Sequence, residues 1–240
     1  MQKKPEELFR VKEIAFMGKV TASLSHEIKN TLAIINESAG LMGDLLRKDA
    51  SEDWPPYSRL SNLLATIEEQ VQRSADIVKR LNQFAHSMDK SVADLDLNET
   101  VRQTAILAQR FASLRRVNLQ TILDPKPLQI NSDPFRLLYI IFGFIERAIN
   151  CSPREGEVEV KTERSGEMFQ VTVTDQGTVE VDTIRAQVSV SPSAEAQQDE
   201  SDLAILIQTM KALGGTIAAE QAAETGNKIV LSFPERFPGM

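Results

Sequence analysis

Apolar residues recur through residues 1–90 in alternating three- and four-residue steps, the period of a helix that buries one stripe. From about Glu6 to Arg47 the stripe runs through Ile14, Met17, Thr21, Leu24, Ile28, Thr31, Ile35, Ser38, Met42 and Leu45, and no proline interrupts it. The segment from Asp49 to Pro56 then gathers turn formers and two prolines. Proline disfavours a helical residue before it, so the first helix ends there. Leu60, Leu64, Ile67, Val71, Ser74, Val78, Leu81, Ala85 and Met88 repeat the steps in a second helix, widened by Leu63, Ile77 and Phe84. The pattern predicts a helical hairpin whose stripes are wider than the two helices can cover for each other. A second copy completes it most simply as a four-helix bundle, so a homodimer is expected.

The pattern changes after a linker at Asp89 to Asp94. Asn98 is a plausible N-cap for a helix to about Leu114. Val117 to Leu123 and Leu128 to Asn131 read as short strands, and Ser132-Asp133-Pro134 opens a strongly apolar helix through about Asn150. Strands follow at Glu157 to Thr162 and Phe169 to Thr174, turning at Ser165-Gly166. The polar stretch from about Thr178 to Glu200 reads as a mobile loop. Leu203 to Leu213 resumes helix, Gly214-Gly215 ends it, and Thr216 to Ala222 with Lys228 to Phe233 form a last hairpin through Glu224 to Asn227. The fold class is α+β: a helical hairpin over residues 1–90, then an α/β sandwich over residues 95–240.

Composition narrows the functions. With 34 acidic and 27 basic residues the net charge is −7, which disfavours nonspecific nucleic-acid binding and anionic membrane surfaces. The single cysteine, Cys151, cannot form an internal disulfide, and two histidines far apart do not make a usual zinc spacing. The amino terminus lacks the apolar stretch of a signal peptide, and no run approaches the ~20 apolar residues of a membrane span. The chain reads as cytoplasmic and without a sensor of its own.

The candidate chemistry lies in Ser23-Leu24-Ser25-His26-Glu27-Ile28-Lys29-Asn30. His26 lies about 200° of helical rotation from both Leu24 and Ile28, so its ring points to solvent. Asn30, four residues on, shares that face, and Glu27 stands beside it. Neither burial nor metal chelation explains the three, which makes His26 a candidate phosphate carrier. His86 and Cys151 read as structural.

These residues resemble the catalytic portion of bacterial two-component sensor histidine kinases, and the resemblance spans about residues 8 to 234. Its most specific element is Ser25 to Asn30, which looks like the phosphoacceptor box, with Met17-Gly18-Lys19-Val20 as its lead-in. The resemblance implies a Bergerat-like ATPase sandwich behind a dimeric histidine-bearing hairpin. It implies that His26 carries phosphate, Glu27 acts as base and Asn30 helps a water attack phosphoaspartate on a response regulator.

The second half departs from the family pattern where nucleotide chemistry takes place. Gly143 and Arg147 occupy the slots of two asparagines, and arginine has no lone pair for magnesium. Asp175-Gln176-Gly177 keeps the aspartate and first glycine of the adenine-side motif, so Asp175 and Gly177 are residual cofactor-binding candidates, but Val179 replaces a further glycine. Glu200-Ser201-Asp202 stands where glycines precede a Leu-Ala-Ile helix start. There Glu200 and Asp202 are expected to satisfy the helix-start amides themselves and repel a triphosphate, at about 1 to 4 kcal/mol per like-charge contact. Arg147 is expected to pair with Glu146 or Asp175.

The expectation is therefore histidine phosphotransfer without ATP. His26 exchanges phosphoryl groups with receiver aspartates, no nucleotide or metal is bound tightly, and magnesium is supplied by the receiver. Lys29, Ala33 and Glu37 are the expected receiver contacts. The alternatives are a divergent ATP-dependent histidine kinase and a scaffold that regulates a true kinase without carrying phosphate. A net phosphatase role resting on Asn30 also stays open.

Overall fold

A computed structural model describes residues 5–47, 57–89, 91–177, 181–189, 201–222 and 226–236. The expected turn at Asp49 to Pro56, together with Val179 and Glu200, lies outside them. Two helices open the chain, α1 at Pro5–Arg47 and α2 at Tyr57–His86. By contacts, Met17–His86 form one compact unit, and Met1–Phe16 group with Ser87–Met240 in the other. The expected division put all of residues 1–90 in the hairpin; the front of α1 goes instead with the sandwich, because Phe9 and Phe16 pack on its aromatic side chains.

In the hairpin unit, three residues of the predicted α1 stripe, seven apart, are buried: Leu24, Thr31 and Ser38. Val20 joins them at 1% exposure. The Thr31 and Ser74 hydroxyls hydrogen-bond at 2.6 Å and tie the helices together, with the Ile28 and Gln70 carbonyls also in reach. On α2 the structure inverts the predicted emphasis. Gln70, Ile77 and Phe84 are buried, whereas Leu64, Val71 and Val78 are about half exposed. Leu32, Leu41 and Leu46 of α1 are similarly exposed. Both helices carry two apolar stripes, and one chain buries only one stripe of each.

The other unit layers helices on a five-stranded sheet. Its elements are β1 (Ala93–Asp96), α3 (Leu97–Arg115), β2 (Asn118–Ile122), β3 (Gln129–Ser132), α4 (Pro134–Cys151), β4 (Glu157–Ser165), β5 (Met168–Asp175), α5 (Val181–Ser189), α6 (Asp202–Ala212), β6 (Thr216–Gln221) and β7 (Asn227–Pro234). The sheet order is β2-β4-β5-β7-β6, with β2 parallel to β4 and the other pairs antiparallel. Alternate residues of the central strands face the core, namely Val158 and Val160, Val171 and Val173, and Leu231 and Phe233. Helix α4 supplies the largest buried side chains opposite them, including Phe142, Phe144, Ile141 and Ile145.

Three expectations change. The linker before α3 contains β1, which pairs antiparallel with β3. The N-cap of α3 is Asp96 rather than Asn98: its carboxylate accepts from the Asn98 and Leu128 amides at 3.0 and 3.2 Å. Asn98 is buried, donates to the Asp124 and Lys126 carbonyls and accepts from the Thr162 hydroxyl, so it fastens a loop to the sheet. The stretch expected to be a mobile loop contains α5, which buries Ile184 and is held by Arg185 donating to the Ala219 carbonyl at 2.7 Å. The cap of α4 is as the sequence indicates, with Asp133 accepting from the Arg136 amide at 2.9 Å ahead of Pro134.

Candidate functional site

On α1, His26 and Asn30 are exposed and Glu27 is half-buried. Ser23, Leu24 and Thr31, on the other side of the same turns, are buried. The helix period accounts for the split, since residues seven apart along the buried stripe leave positions 26 and 30 facing outward. An exposed imidazole can be approached by a second macromolecule, and a carboxylate next to it can orient the ring or take its proton.

The nucleotide-side candidates meet a different environment. Gly143 lies in the interior of α4 among large apolar residues, and a Cβ there would fall 2.5 and 2.8 Å from the two methyl carbons of Leu206. Leu206, from α6, thus fills the notch that the glycine leaves. Asp175 is buried at the end of β5, where its Oδ1 accepts from the Gly177 amide at 2.7 Å and the Asn227 side-chain amide at 2.8 Å. Gly226 has φ +128°, and a Cβ on it would meet the Asp175 backbone carbonyl at 2.0 Å, so the chain entering β7 passes this close to the end of β5 only because residue 226 is glycine. Arg147 is half-buried on α4.

The start of α6 is capped by Ser201, whose hydroxyl accepts from the Ala204 amide at 3.2 Å. The expected role of Asp202 as an amide-satisfying group passes to this serine. Asp202 instead pairs with Lys12, Nζ to Oδ1 at 2.5 Å. Burial, with the Asp202 and Glu146 carboxylates adding to it, pushes the Tyr139 hydroxyl up to about 12. A groove of about 580 Å³ lies elsewhere in this unit, bordered by Phe9, Met88, Phe135, Arg136, Ile205 and Thr209, and none of the candidate site residues lines it.

Leu206, Ser201, Asn227 and Lys12 were not singled out from the sequence. The available signal was Gly143 itself, because a glycine costs about 1 kcal/mol in a helix interior and so marks a close approach. What approaches it is a residue sixty-three positions away, which local pattern does not name.

The hairpin followed by the α/β unit is the architecture of histidine-kinase catalytic portions, and the chain's homologues are sensor histidine kinases. It is 23% identical over 230 residues to the sensor histidine kinase ZraS of Escherichia coli O157:H7, covering 95% of this chain and 48% of that protein. The catalytic domain of histidine kinase ThkA superposes with a TM-score of 0.52 at 18% identity, covering 61% of this chain and 99% of that one. Full-length ShkA, solved in complex with AMPPNP, gives a TM-score of 0.52 at 18% identity over 97% of this chain and 46% of its own. The chain spans about half the length of the curated relatives it matches. No protein-family model matches it. Among the described residues no helix is long and apolar enough to cross a membrane.

Proposed function

We propose that this chain is a histidine phosphotransfer protein of two-component signalling, acting in the cytoplasm as a homodimer, in which His26 exchanges phosphoryl groups with the aspartates of response-regulator receivers without using ATP. The neutral ring nitrogen of His26 attacks the phosphorus of an aspartyl phosphate. The P–O bond to the carboxylate breaks, the P–N bond forms, and Glu27 takes the proton from the ring. Magnesium belongs to the receiver in this scheme. Transfer to a second receiver reverses the steps, and Asn30 is placed to orient a water where hydrolysis competes.

The observation that carries this reading is the contrast between the two candidate regions. His26 and Asn30 stand open to a partner, whereas groups in the nucleotide-side positions already make contacts within the chain. Leu206 occupies the Gly143 notch, Asp175 accepts from Asn227 and Gly177, Ser201 caps α6, and Asp202 in the first turn of that helix is paired with Lys12. These residues do not fit a magnesium-bound triphosphate. The exposed stripes of α1 and α2 support the homodimer, because a second copy is the simplest cover for Leu32 and Leu41 with Val71 and Val78.

A second reading is an ATP-dependent histidine kinase, favoured by the relatives that are themselves named sensor histidine kinases. Incubation with radiolabelled ATP separates the two. Label on the wild type but not on His26→Gln would reject phosphotransfer without ATP. Label that reaches the protein only from a phosphorylated receiver, and is lost in His26→Gln, supports it.

A further inference from the structure

The groove of about 580 Å³ in the sandwich unit is walled by the front of α1, the start of α4 and one side of α6. Phe9, Met88, Phe135 and Ile205 give it an apolar lining. Two of those rings are braced by others. Phe9 meets Tyr139 edge-on with centroids 5.7 Å apart, and Phe135 meets Phe16 at 5.9 Å. A preformed cleft of this size with fixed aromatic walls suits a small molecule, and the polar groups at its border decide which kind.

Four charged side chains stand at that border, and two of them already have partners. Asp133 accepts from the Arg136 amide at 2.9 Å and from its Nε at 3.4 Å, while the Arg136 guanidinium lies over the Phe9 ring at 5.0 Å. The other two are Arg10 and Glu13, three apart on α1 and so on one side of the helix. Among the described residues neither forms a hydrogen bond or an ion pair, not even with the other. Glu13 is half-buried and Arg10 is exposed. An unpaired carboxylate and an unpaired guanidinium beside an apolar cleft are complementary to a ligand that carries both charges on an apolar body.

We propose that this groove binds an apolar α-amino acid, its ammonium on Glu13, its carboxylate on Arg10 and its side chain among Phe9, Phe135 and Ile205. The Arg10 guanidinium presents a planar fork of donors that matches a carboxylate, and the ammonium donates to the Glu13 oxygens. An amine or an acid alone leaves one of the two protein charges unanswered, so full affinity requires both. None of these residues takes part in phosphoryl transfer at His26, so the site stands or falls separately from that function.

Ligand-observed NMR titration of the whole chain with L-phenylalanine tests the site, with phenylethylamine and phenylpropionate as the same body lacking one charge each. L-Phenylalanine should bind with a dissociation constant of about 1 mM or below, and each single-charge compound about tenfold more weakly. Glu13→Gln should weaken L-phenylalanine about tenfold yet leave phenylpropionate unchanged, which also shows the variant to be folded. Arg10→Gln should likewise weaken L-phenylalanine and leave phenylethylamine unchanged. No binding of L-phenylalanine at about 10 mM would overturn the proposal. So would equal affinity for wild type and both variants, or single-charge compounds that bind as tightly as the amino acid.

Discussion

A methyl group added at Gly143 tests the packing on which the nucleotide-free reading leans. The new Cβ would lie 2.5 Å from Leu206 Cδ2, 2.8 Å from Cδ1 and 3.2 Å from Cγ. Carbon atoms settle at about 3.5 to 4.0 Å, so the overlap is about 1 Å. Leu206 is 3% exposed, which leaves it little room to swing aside. Overpacking of this kind costs about 1 to 3 kcal/mol, and removing a helix-interior glycine returns about 1 kcal/mol. The expected net effect of Gly143→Ala is a loss of about 1 kcal/mol. Leu206→Ala alone should cost about 2 to 5 kcal/mol. In that background the overlap is gone, and Gly143→Ala should become stabilising by about 1 kcal/mol. The change of sign between backgrounds measures the coupling. Denaturant titrations read through α4 amide exchange confine the measurement to the unit concerned. If Gly143→Ala stabilises the wild type, Leu206 does not occupy the notch, and the filled-site argument falls with it.

Three further outcomes are expected. Tyr139 has its pKa raised from 10.0 to about 12 in the folded chain, so its contribution is complete below pH 10 and is lost as pH climbs through 12. The loss is roughly 3 kcal/mol, and Tyr139→Phe should blunt it in alkaline unfolding curves; identical curves for both proteins would remove the basis for the shift. Asn227→Ala takes one of the donors from the buried Asp175 carboxylate and should destabilise the sandwich by about 1 to 3 kcal/mol, measured by urea unfolding, with no loss if water replaces the amide. Val71→Asp places a charge on an exposed apolar stripe and should convert a dimer into monomers in sedimentation velocity without melting the hairpin; an unchanged sedimentation coefficient would mean that this face is not the contact.

Much of the architecture was legible because local rules decide it. The Ser132-Asp133-Pro134 cap and the alternation in β4 and β5 each follow from backbone sterics, hydrogen bonding or side-chain period. The outward direction of His26 was legible for the same reason, since its angle from Leu24 is fixed by the helix alone. The two apolar stripes of α2 were visible, but not which one faces inward. Val71 and Ile77 have similar hydropathy, and only the position of the neighbouring helix chooses between them.

The chain order thus determined by itself the helical hairpin, the helix and strand periods, the exposed His26 with Glu27 and Asn30 beside it, and the loss of the glycines and asparagines expected around a nucleotide. Tertiary structure decided that Leu206 fills the space beside Gly143, that Asn227 answers Asp175, and that the first turns of α1 pack with the sandwich unit. Periodicity is a property of neighbours along the backbone, so it can be read from a string of residues. Occupancy of a notch or of a carboxylate depends on side chains far apart in sequence competing for one volume, and that competition is resolved only when the chain has closed on itself.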